Sequence, residues 1–386
     1  MADELATILL KRFASLQNQR ETWESHWQEI ADYVVPRKAD VTKKRSPGDK
    51  RSELIFDGTA IHAAELLSAS LHGMLTNAST SWFGLRYTDR ELNGDDEARE
   101  WLQGVEDVMY QAFNRSNFQE QIHELYHDLI TFGTAVMFVD KDDEQQIRFS
   151  TRHIAECYVT EDEKGRVDTV YRKFKMPGKA VVARFGDEKL SSKIINKINE
   201  NPYDMVELVH AVFRRQDRDP TKITAENKPV ASIYMEPAEK VVLSESGFDE
   251  FPYMAPRFLK ASFEVGYGRS PAMTALADIK MLNKMSEVTI RAAQKQVDPP
   301  LLVPDDGFML PIRTVPGGLN FYRSGTRDRL EPLNIGANNP LGLNMEEQRR
   351  QAIRSAFYVD QLILGQGPQM TATEVVQRTE EKMRLL

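Results

Sequence analysis

Residues 266–300 read GYGRSPAMTALADIKMLNKMSEVTIRAAQKQVDPP, and this stretch predicts one long helix. Ser270 can cap the free backbone N–H groups of a helix start, and Pro271 suits the first helical position because no backbone N–H is needed there. About 26 residues without Gly or Pro follow, until Asp298-Pro299-Pro300 ends them. A helix from 271 to 297 would be roughly 40 Å long at 1.5 Å per residue. The sequence therefore predicts a rod that is long for a globular protein.

The chain before this stretch is predicted to be helical first and β-rich second. Apolar residues recur at helical spacing from 3 to 34, and amphipathic helices are predicted over 59–76, 95–113 and 117–132, with Asn117 as the cap of the last. From residue 135 the apolar period shifts toward two, which is typical of short strands. The predicted strands are 135–140, 146–151, 156–161, 167–175, 205–213, 229–235, 239–243 and 252–259, with a short helix over 187–199 among them.

The chain after the long helix is predicted to form a small β-excursion and then a second rod. Residues 299–340 are rich in proline and contain Gly317-Gly318, so strands rather than a helix are expected there, at 301–303, 319–323 and 330–335. A helix is predicted over 345–363, with Asn344 as its cap and Glu347 at the capping-box position. Residues 365–370 read as a loop, and another helix opens at Thr371. Because that helix reaches Leu386 without a visible cap, we expect the natural chain to continue.

The composition limits the class of protein. The 50 Lys and Arg residues and 58 Asp and Glu residues give a net charge of −8, which argues against a domain that clamps nucleic acid tightly. The single cysteine, Cys157, excludes an intrachain disulfide and fits a reducing compartment. No apolar run approaches the roughly eighteen residues that cross a bilayer, and the N-terminus lacks a signal-peptide pattern. We therefore expect a soluble protein that is made in the cytoplasm and has no membrane partner.

One short motif favours an enzyme. His123-Glu124-Leu125-Tyr126-His127 matches H-E-x-x-H, in which two histidines on one helix face bind zinc and the glutamate acts as a general base. No third ligand stands out, since Glu144, Glu156 and Glu161 would be equal choices. The alternative is an ordinary amphipathic helix, and it is favoured. No phosphate loop, dinucleotide fingerprint or nucleophile elbow accompanies the motif, so we expect a protein without catalytic residues, metal or cofactor.

Two basic stretches are candidate contacts for phosphate. Residues 37–51 (RKADVTKKRSPGDKR) carry seven basic residues and almost no apolar ones, so a solvated loop is favoured over a surface for nucleic acid or an acidic partner. On the long helix four basic residues fall within about 60° of one another at 100° per residue. They are Lys280, Lys284, Arg291 and Lys295. This stripe is either a solvated face with a Glu287–Arg291 pair or a face that meets phosphate, and spacing alone favours the solvated face.

The order of several segments resembles the portal (head-to-tail connector) proteins of tailed bacteriophages, especially short-tailed ones. The run YGRSPAMTALADIKMLNKM, then DPPLLVPDDG, LNMEEQRRQAIRSAFYVDQLIL and QMTATEVVQRTEEK carries the resemblance. Earlier segments agree with it, namely ETWESHWQEIADYVVPR, FDGTAIHAAELLSASLHGMLTNASTSWFGL and FGTAVMFVD. The resemblance covers essentially the whole chain.

The resemblance implies an α+β fold with a mainly helical wing, a small β-rich wing module, and two long stem helices that flank a small α/β or β clip. The implied regions run in chain order. They are the helical wing 1–134, the β-rich module 135–265, the first stem helix 266–297, the clip 298–343, the second stem helix 344–363, the tunnel loop 364–372, and the start of a further wing or crown helix 373–386.

The resemblance also implies a ring of self-assembled subunits, typically twelve, at one vertex of the capsid. Double-stranded DNA would pass through the ring during packaging and ejection. The further partners would be the major capsid and scaffolding proteins, the terminase large subunit, and tail adaptor or nozzle proteins. The protein would lie in the virion after assembly in the host cytoplasm. The other readings are a zinc metallopeptidase and an oligomeric scaffold without a DNA role.

Candidate site residues follow from these implied regions. The DNA-channel candidates are Lys280, Lys284, Arg291 and Lys295 on the first stem helix and Arg349 and Arg350 on the second. The tunnel-loop candidates are Gln366, Pro368, Gln369 and Met370. The candidates for docking partners on the clip are Phe308, Arg313, Phe321, Tyr322 and Arg323.

Elementary geometry agrees with a channel. Twelve helices side by side at about 10 Å give a circumference near 120 Å, which places the helix axes roughly 19 Å from the centre. Subtracting a helix radius of about 5 Å leaves a bore roughly 28 Å in diameter. A DNA duplex fits this bore. Twelve chains of charge −8 carry about −96, so most of the ring would repel phosphates. A few basic rows in acidic surroundings would guide DNA without gripping it.

Overall fold

The computed structural model describes residues 2–46, 48–219, 221–299, 301–302, 331–332 and 340–362. Its described helices are α1 (Ala2–Val34), α2 (Thr59–Leu75), α3 (Asp96–Arg115), α4 (Phe118–Phe132), α5 (Gly178–Phe185), α6 (Ser192–Glu200), α7 (Pro271–Val297), α8 (Pro340–Ala356) and α9 (Val359–Leu362). Short 3₁₀ turns connect several of them. The helices come first and last in the chain, and most strands lie between them. The predicted α+β class is confirmed.

The strands form small antiparallel sheets. They are β1 (Val136–Asp142), β2 (Gln146–Arg152), β3 (Cys157–Glu161), β4 (Val167–Pro177), β5 (Met205–Arg214), β6 (Val230–Glu236), β7 (Val241–Phe248), β8 (Tyr253–Met254), β9 (Leu301–Leu302) and β10 (Glu331–Pro332). A five-stranded meander has the order β3-β4-β5-β6-β7, and β1 lies between β2 and β8 in a second sheet. Each neighbouring pair is antiparallel, as short loops between sequential strands require.

Helix α1 connects the two halves of the described structure. Near its start, Leu9 and Phe13 pack on one face of the meander, where the Phe13 ring lies 4.8 Å from that of Tyr158. Near its end, Ile30 and Val34 join the core that α2, α4, α7 and α8 share. One long amphipathic helix therefore contributes to both the helical and the β-rich parts.

Helix α7 has a buried first half and an exposed second half. Ser270 caps it as predicted, because its Oγ accepts a hydrogen bond from the Met273 N–H at 3.1 Å. The Ser270 hydroxyl also donates to the carbonyl of Thr131 at 2.8 Å. The buried residues of α7 end at Ser286, and its last eleven residues extend beyond the core. The helix predicted for 271–297 is confirmed with the same bounds.

Helix α4 ends where two backbone segments come very close together. Gly133 follows its last residue with φ of +76°. A side chain at this position would place its Cβ 2.3 Å from the carbonyl oxygen of Gly268. Glycine is therefore required both by the left-handed backbone and by the space. This contact joins the end of α4 to the segment that leads into α7.

Several predicted element boundaries are wrong. Helix α8 begins at Pro340 rather than after Asn344, and it ends at Ala356 rather than at 363. Tyr358 has φ of +57°, a left-handed conformation that separates α8 from the short α9. Helix α5 was not predicted at all, and the segment predicted as one helix over 187–199 is a 3₁₀ turn followed by α6. The strands predicted at 239–243 and 252–259 are Val241–Phe248 and Tyr253–Met254.

Most of the predicted clip, the tunnel loop 364–372 and the helix expected after Thr371 lie outside the described residues. Within the described part of that region, β9 pairs with β10 in antiparallel register. None of the described helices combines the length and the apolar composition of a membrane-spanning segment.

Candidate functional site

The basic stripe predicted on α7 is largely neutralised by carboxylates of the same chain. Lys280 forms an ion pair with Glu29 on α1. Lys284 and Arg291 both contact Glu287, at 2.8 and 2.6 Å. The hydrogen bond from Lys284 and the positive charges of Arg291 and Lys284 lower the pKa of Glu287. The stripe is therefore a row of ion pairs rather than a row of free cations.

Lys295 differs from the other basic residues of this stripe. It is exposed in the last turn of α7, and none of the carboxylates in the described residues lies within ion-pair distance of it. A cation in the last turn is favourable because the free carbonyls there carry partial negative charge. The positive charge of this face is thus concentrated toward the exposed end of α7.

The two arginines predicted on the second rod connect elements to one another. Arg349 on α8 contacts Asp278 on α7 at 2.7 Å. Arg350 contacts Asp57 at 3.0 Å and Glu346 at 3.1 Å. Burial opposes the charge of Arg350, but its carboxylate partners outweigh that effect and raise its pKa. Both arginines therefore stabilise the packing of α8.

Asn283 makes a buried polar contact that the sequence pattern did not reveal. It lies on the buried face of α7 among apolar residues, and it is nearly inaccessible. Its Oδ1 accepts the Phe56 N–H at 2.7 Å, and its Nδ2 donates to the Leu54 carbonyl at 2.6 Å. An asparagine at a core position of a helical repeat is the signal that could have indicated such a contact. It fastens the segment before α2 to the long helix.

The H-E-x-x-H motif lies on α4, but its glutamate is already occupied. The Glu124 carboxylate receives two hydrogen bonds from Arg37, both at 2.9 Å, and an ion pair from Lys38. Burial raises the pKa of Glu124, but these partners outweigh it and lower the pKa to about 2. His127 is buried, and burial lowers its pKa to about 4. This arrangement holds a structural ion pair rather than a general base.

The described surroundings of this motif provide no metal cluster. Among the residues that the structure describes, no group of three or more His, Cys, Asp and Glu side chains could hold a metal ion. The ring of His123 lies 5.5 Å from that of His72, on a neighbouring helix. The Lys38 ammonium also pairs with the buried Asp128 on the next helical turn. The motif thus forms part of the contact between α4 and the chain segment that follows α1.

The basic loop 37–51 is held against acidic residues of the same chain. Lys43 and Arg45 contact Asp32 on α1, at 2.5 and 3.2 Å. Arg51 contacts Asp40 at 2.6 Å. Because most of these charges are paired within the chain, the geometry does not support the hypothesis that loop 37–51 is a surface for nucleic acid.

The predicted tunnel-loop residues Gln366, Pro368, Gln369 and Met370 lie outside the described residues. The same holds for the predicted docking residues of the clip, Phe308, Arg313, Phe321, Tyr322 and Arg323. Both sets of residues therefore remain predictions.

Comparison with known proteins identifies the family. Residues 6–386 match the family described as bacteriophage head to tail connecting protein. This chain belongs to that family. It is 33% identical over 391 residues to the probable portal protein of Bordetella phage BPP-1, an alignment that covers 98% of this chain and 70% of the relative. It is 31% identical over 396 residues to the portal protein of Salmonella phage epsilon15, with 100% of this chain and 71% of the relative covered.

Membership in this family confirms the resemblance that the sequence carries, and it gives the connector protein a structural role. The two relatives above are described as portal proteins, and neither description mentions a peptidase. Together with the occupied Glu124, this leaves the metallopeptidase reading without support.

Proposed function

We propose that this chain is the subunit of a portal ring at one vertex of a phage capsid, where double-stranded DNA passes through the centre. The observation that carries the proposal is the match to the connector family over residues 6–386. The long helix supports it, because a helix that is anchored in a core at its start and extends beyond that core at its end is suited to stand beside copies of itself.

The regions of the ring are proposed from the chain order. The wing would consist of residues 1–134 and 135–265, and the clip of 298–343. The first stem helix would be 266–297, which contains α7, and the second would be 344–363, which contains most of α8. Helices α7 and α8 pack on each other, and Thr289 donates a hydrogen bond to the buried Glu346 at 2.6 Å. Such a tied pair would move as one rod within each subunit.

The ion-paired stripe supports a channel that does not hold DNA tightly. Each phosphate that a protein neutralises releases counterions and adds affinity. Since Lys284 and Arg291 share Glu287, a passing phosphate would meet little unbalanced positive charge there. We propose that Lys284, Glu287, Arg291 and Lys295 face the bore. Lys280, Arg349 and Arg350 would act mainly through their partners within the chain.

The proposed partners follow from the position of the ring. They are other copies of this chain in the same ring, the major capsid and scaffolding proteins, the terminase large subunit, and tail adaptor or nozzle proteins. The ring would be assembled in the host cytoplasm and remain in the virion.

Electron microscopy and native mass measurement of the purified protein test the proposal. We expect rings with an open centre and a mass near twelve copies of 44.1 kDa. A ring without a central opening would instead favour a scaffold with no DNA role. A zinc-containing monomer with proteolytic activity would favour the peptidase reading and overturn the proposal.

A further inference from the structure

Helix α3 leaves an apolar face uncovered. None of its twenty residues is buried, and Trp101 and Val108 are 62% and 65% exposed. At 100° per residue, Trp101, Val105, Val108 and Ala112 fall within about 60° of one another. An amphipathic helix normally turns such a stripe toward the core. Here the stripe faces away from it.

The opposite face of α3 is what fixes the helix to the rest of the chain. The Tyr110 hydroxyl accepts the N–H groups of Trp82 and Phe83, both at 2.7 Å. The ring of Phe113 lies 4.7 Å from that of Phe118 on α4. Since these contacts set the rotation of α3, the outward direction of Trp101 and Val108 is a fixed feature of the fold.

A second uncovered apolar surface is the loop 259–269, which leads into α7. Its ends are joined by two backbone hydrogen bonds between Leu259 and Arg269, at 3.1 and 2.7 Å. Phe263 and Val265, near its tip, are 79% and 59% exposed. Glu264 between them is buried. The loop therefore turns its carboxylate inward and its two apolar side chains outward.

Specific contacts hold the loop in this arrangement. The Glu264 carboxylate accepts hydrogen bonds from the Ala261 N–H at 3.2 Å and from Arg269 at 2.6 Å. Gly266, with φ of +80°, presses against β3, where an added Cβ would lie 2.6 Å from the Val159 carbonyl oxygen. Phe263 and Val265 are thus held by a loop that is already ordered. Because little further ordering is needed, binding through this loop would cost little conformational entropy.

The two surfaces have opposite charges at their margins. Glu97, Glu100 and Asp107 are exposed along one edge of the α3 stripe, with Arg115 as the basic residue at its end. Around the loop the exposed basic residues are Arg269 and, on the adjoining β3–β4 turn, Lys164 and Arg166, beside the acidic Glu163. The Arg257 guanidinium and the Lys260 ammonium fasten that turn to the loop.

We propose that the apolar face of α3 in one subunit binds the 259–269 loop of the next subunit around the ring. This inference rests on the proposed ring. A head-to-tail ring needs two different, complementary surfaces on each copy, and this chain supplies an apolar surface with an acidic margin and another with a basic margin. They lie against different elements, α3 on α4 and β2, the loop on α1 and β3. Large exposed aromatic side chains are typical of such interface centres.

Cysteine cross-linking tests this contact directly, because the single native cysteine, Cys157, is buried. In the double variant Val108→Cys, Phe263→Cys, a short bismaleimide should join neighbouring subunits into a ladder of multimers. Each single variant should remain uncoupled. The control pair is Val108→Cys with Tyr203→Cys, which is 72% exposed on a different surface.

Assembly measurements provide the second arm. Trp101→Ser and Phe263→Ser should each raise the protein concentration needed for ring formation by about tenfold or more, since buried aromatic anchors dominate interfaces. Ile223→Ser, at a fully exposed apolar residue outside both surfaces, should leave it unchanged. Circular dichroism of the monomeric fraction should be the same for all three variants.

The outcomes separate this inference from the proposed function. If the wild-type protein forms no ring, the proposed function fails first. If rings form but the Val108–Phe263 pair gives no ladder, or none beyond that of the control pair, the inference is overturned. Dimers from the single Val108→Cys variant would show that like surfaces meet, which also contradicts it. Normal ring formation by Trp101→Ser and Phe263→Ser would also overturn the inference, and it would point to another protein of the capsid or tail as the partner of these surfaces.

Discussion

His127 is an uncharged histidine held inside the protein. Its Nδ1 has no hydrogen-bond partner in the described part of the chain. Burial, with the nearby Arg37 and Lys38, lowers its pKa to about 4 from an ordinary value near 6.5. The unfolded chain therefore takes up a proton at this position before the folded chain does. The unfolding free energy is therefore unaffected by the protonation of His127 above about pH 6.5, and it decreases as the pH falls from there toward 4.

Replacing this histidine should make the protein less sensitive to acid. We expect His127→Leu to reduce the loss of unfolding free energy between pH 7.5 and 4.5 by about 2–3 kcal/mol, because one coupled proton is removed. Urea unfolding of the two proteins at a series of pH values measures this. His62→Leu, at an exposed histidine on α2, is the control. A pH dependence identical to that of the wild type would contradict the assignment.

Glu124 gives a second prediction at this scale, one that distinguishes an ion pair from a catalytic base. Glu124→Gln removes the charge that Arg37 and Lys38 contact, and it should lower the unfolding free energy at pH 7 by about 1–3 kcal/mol. The difference should shrink as the pH falls from about 4.5 toward 2, where the wild-type carboxylate is protonated as well.

Glu120→Gln, at an exposed position of the same helix, should have little effect and serves as the control. Metal analysis of the wild-type protein, purified without added metal, completes the test. One zinc ion per chain would contradict the structural interpretation of this motif.

At the scale of elements, the start of α7 is where the long helix is joined to the core. Ser270→Ala would remove the cap of the Met273 N–H and leave the buried Thr131 carbonyl without its hydroxyl donor. We expect a loss of about 2 kcal/mol in unfolding free energy, measured by chemical denaturation. Ser355→Ala, at an exposed serine of α8, is the matched control. An equal effect of both substitutions would show that the cap contributes nothing.

An element could be predicted from the sequence when the residues that begin and end it lie next to it in the chain. Helix α7 could be predicted with its bounds because Ser270, Pro271 and the Asp-Pro-Pro sequence act within a few residues. The end of α8 could not be predicted, because the left-handed residue that follows it is Tyr358 rather than a glycine, which would have indicated the break. Its side chain packs on the main core, so tertiary contacts determine the break.

The site shows the same division. Asn117 lies at the predicted start of α4, but its side chain does not cap that helix. It exchanges two hydrogen bonds with the backbone of Phe149 in β2, at 2.8 and 2.9 Å. The basic residues of α7 could be placed on one face from spacing alone. Their carboxylate partners across elements, such as Glu29 for Lys280 and Asp278 for Arg349, could not, because sequence spacing contains no tertiary distances.

At the scale of the whole molecule, the chain has a negative net charge, and just over half of the Lys and Arg residues that the structure describes form ion pairs within the chain. Near the exposed end of α7, the basic residues Lys284, Arg291 and Lys295 have one carboxylate partner among the described residues, Glu287. In the proposed ring these residues would form circular rows, one set from each copy. The rest of the ring is acidic and would repel DNA. Rows of basic residues that are partly neutralised by Glu287 would reduce this electrostatic repulsion without adding strong affinity for DNA.

Reversing these three charges should separate assembly from DNA passage. We expect the triple variant Lys284→Glu, Arg291→Glu, Lys295→Glu to form rings as the wild type does, because all three side chains are exposed. The number of DNA-filled particles in a packaging assay should fall roughly tenfold or more, since phosphates would meet added negative rows. The control is Lys189→Glu, Arg218→Glu, Lys222→Glu, which changes the net charge equally at exposed sites away from α7. If both variants package DNA equally well, these residues do not face the bore. If both lose packaging alike, net charge rather than position is responsible.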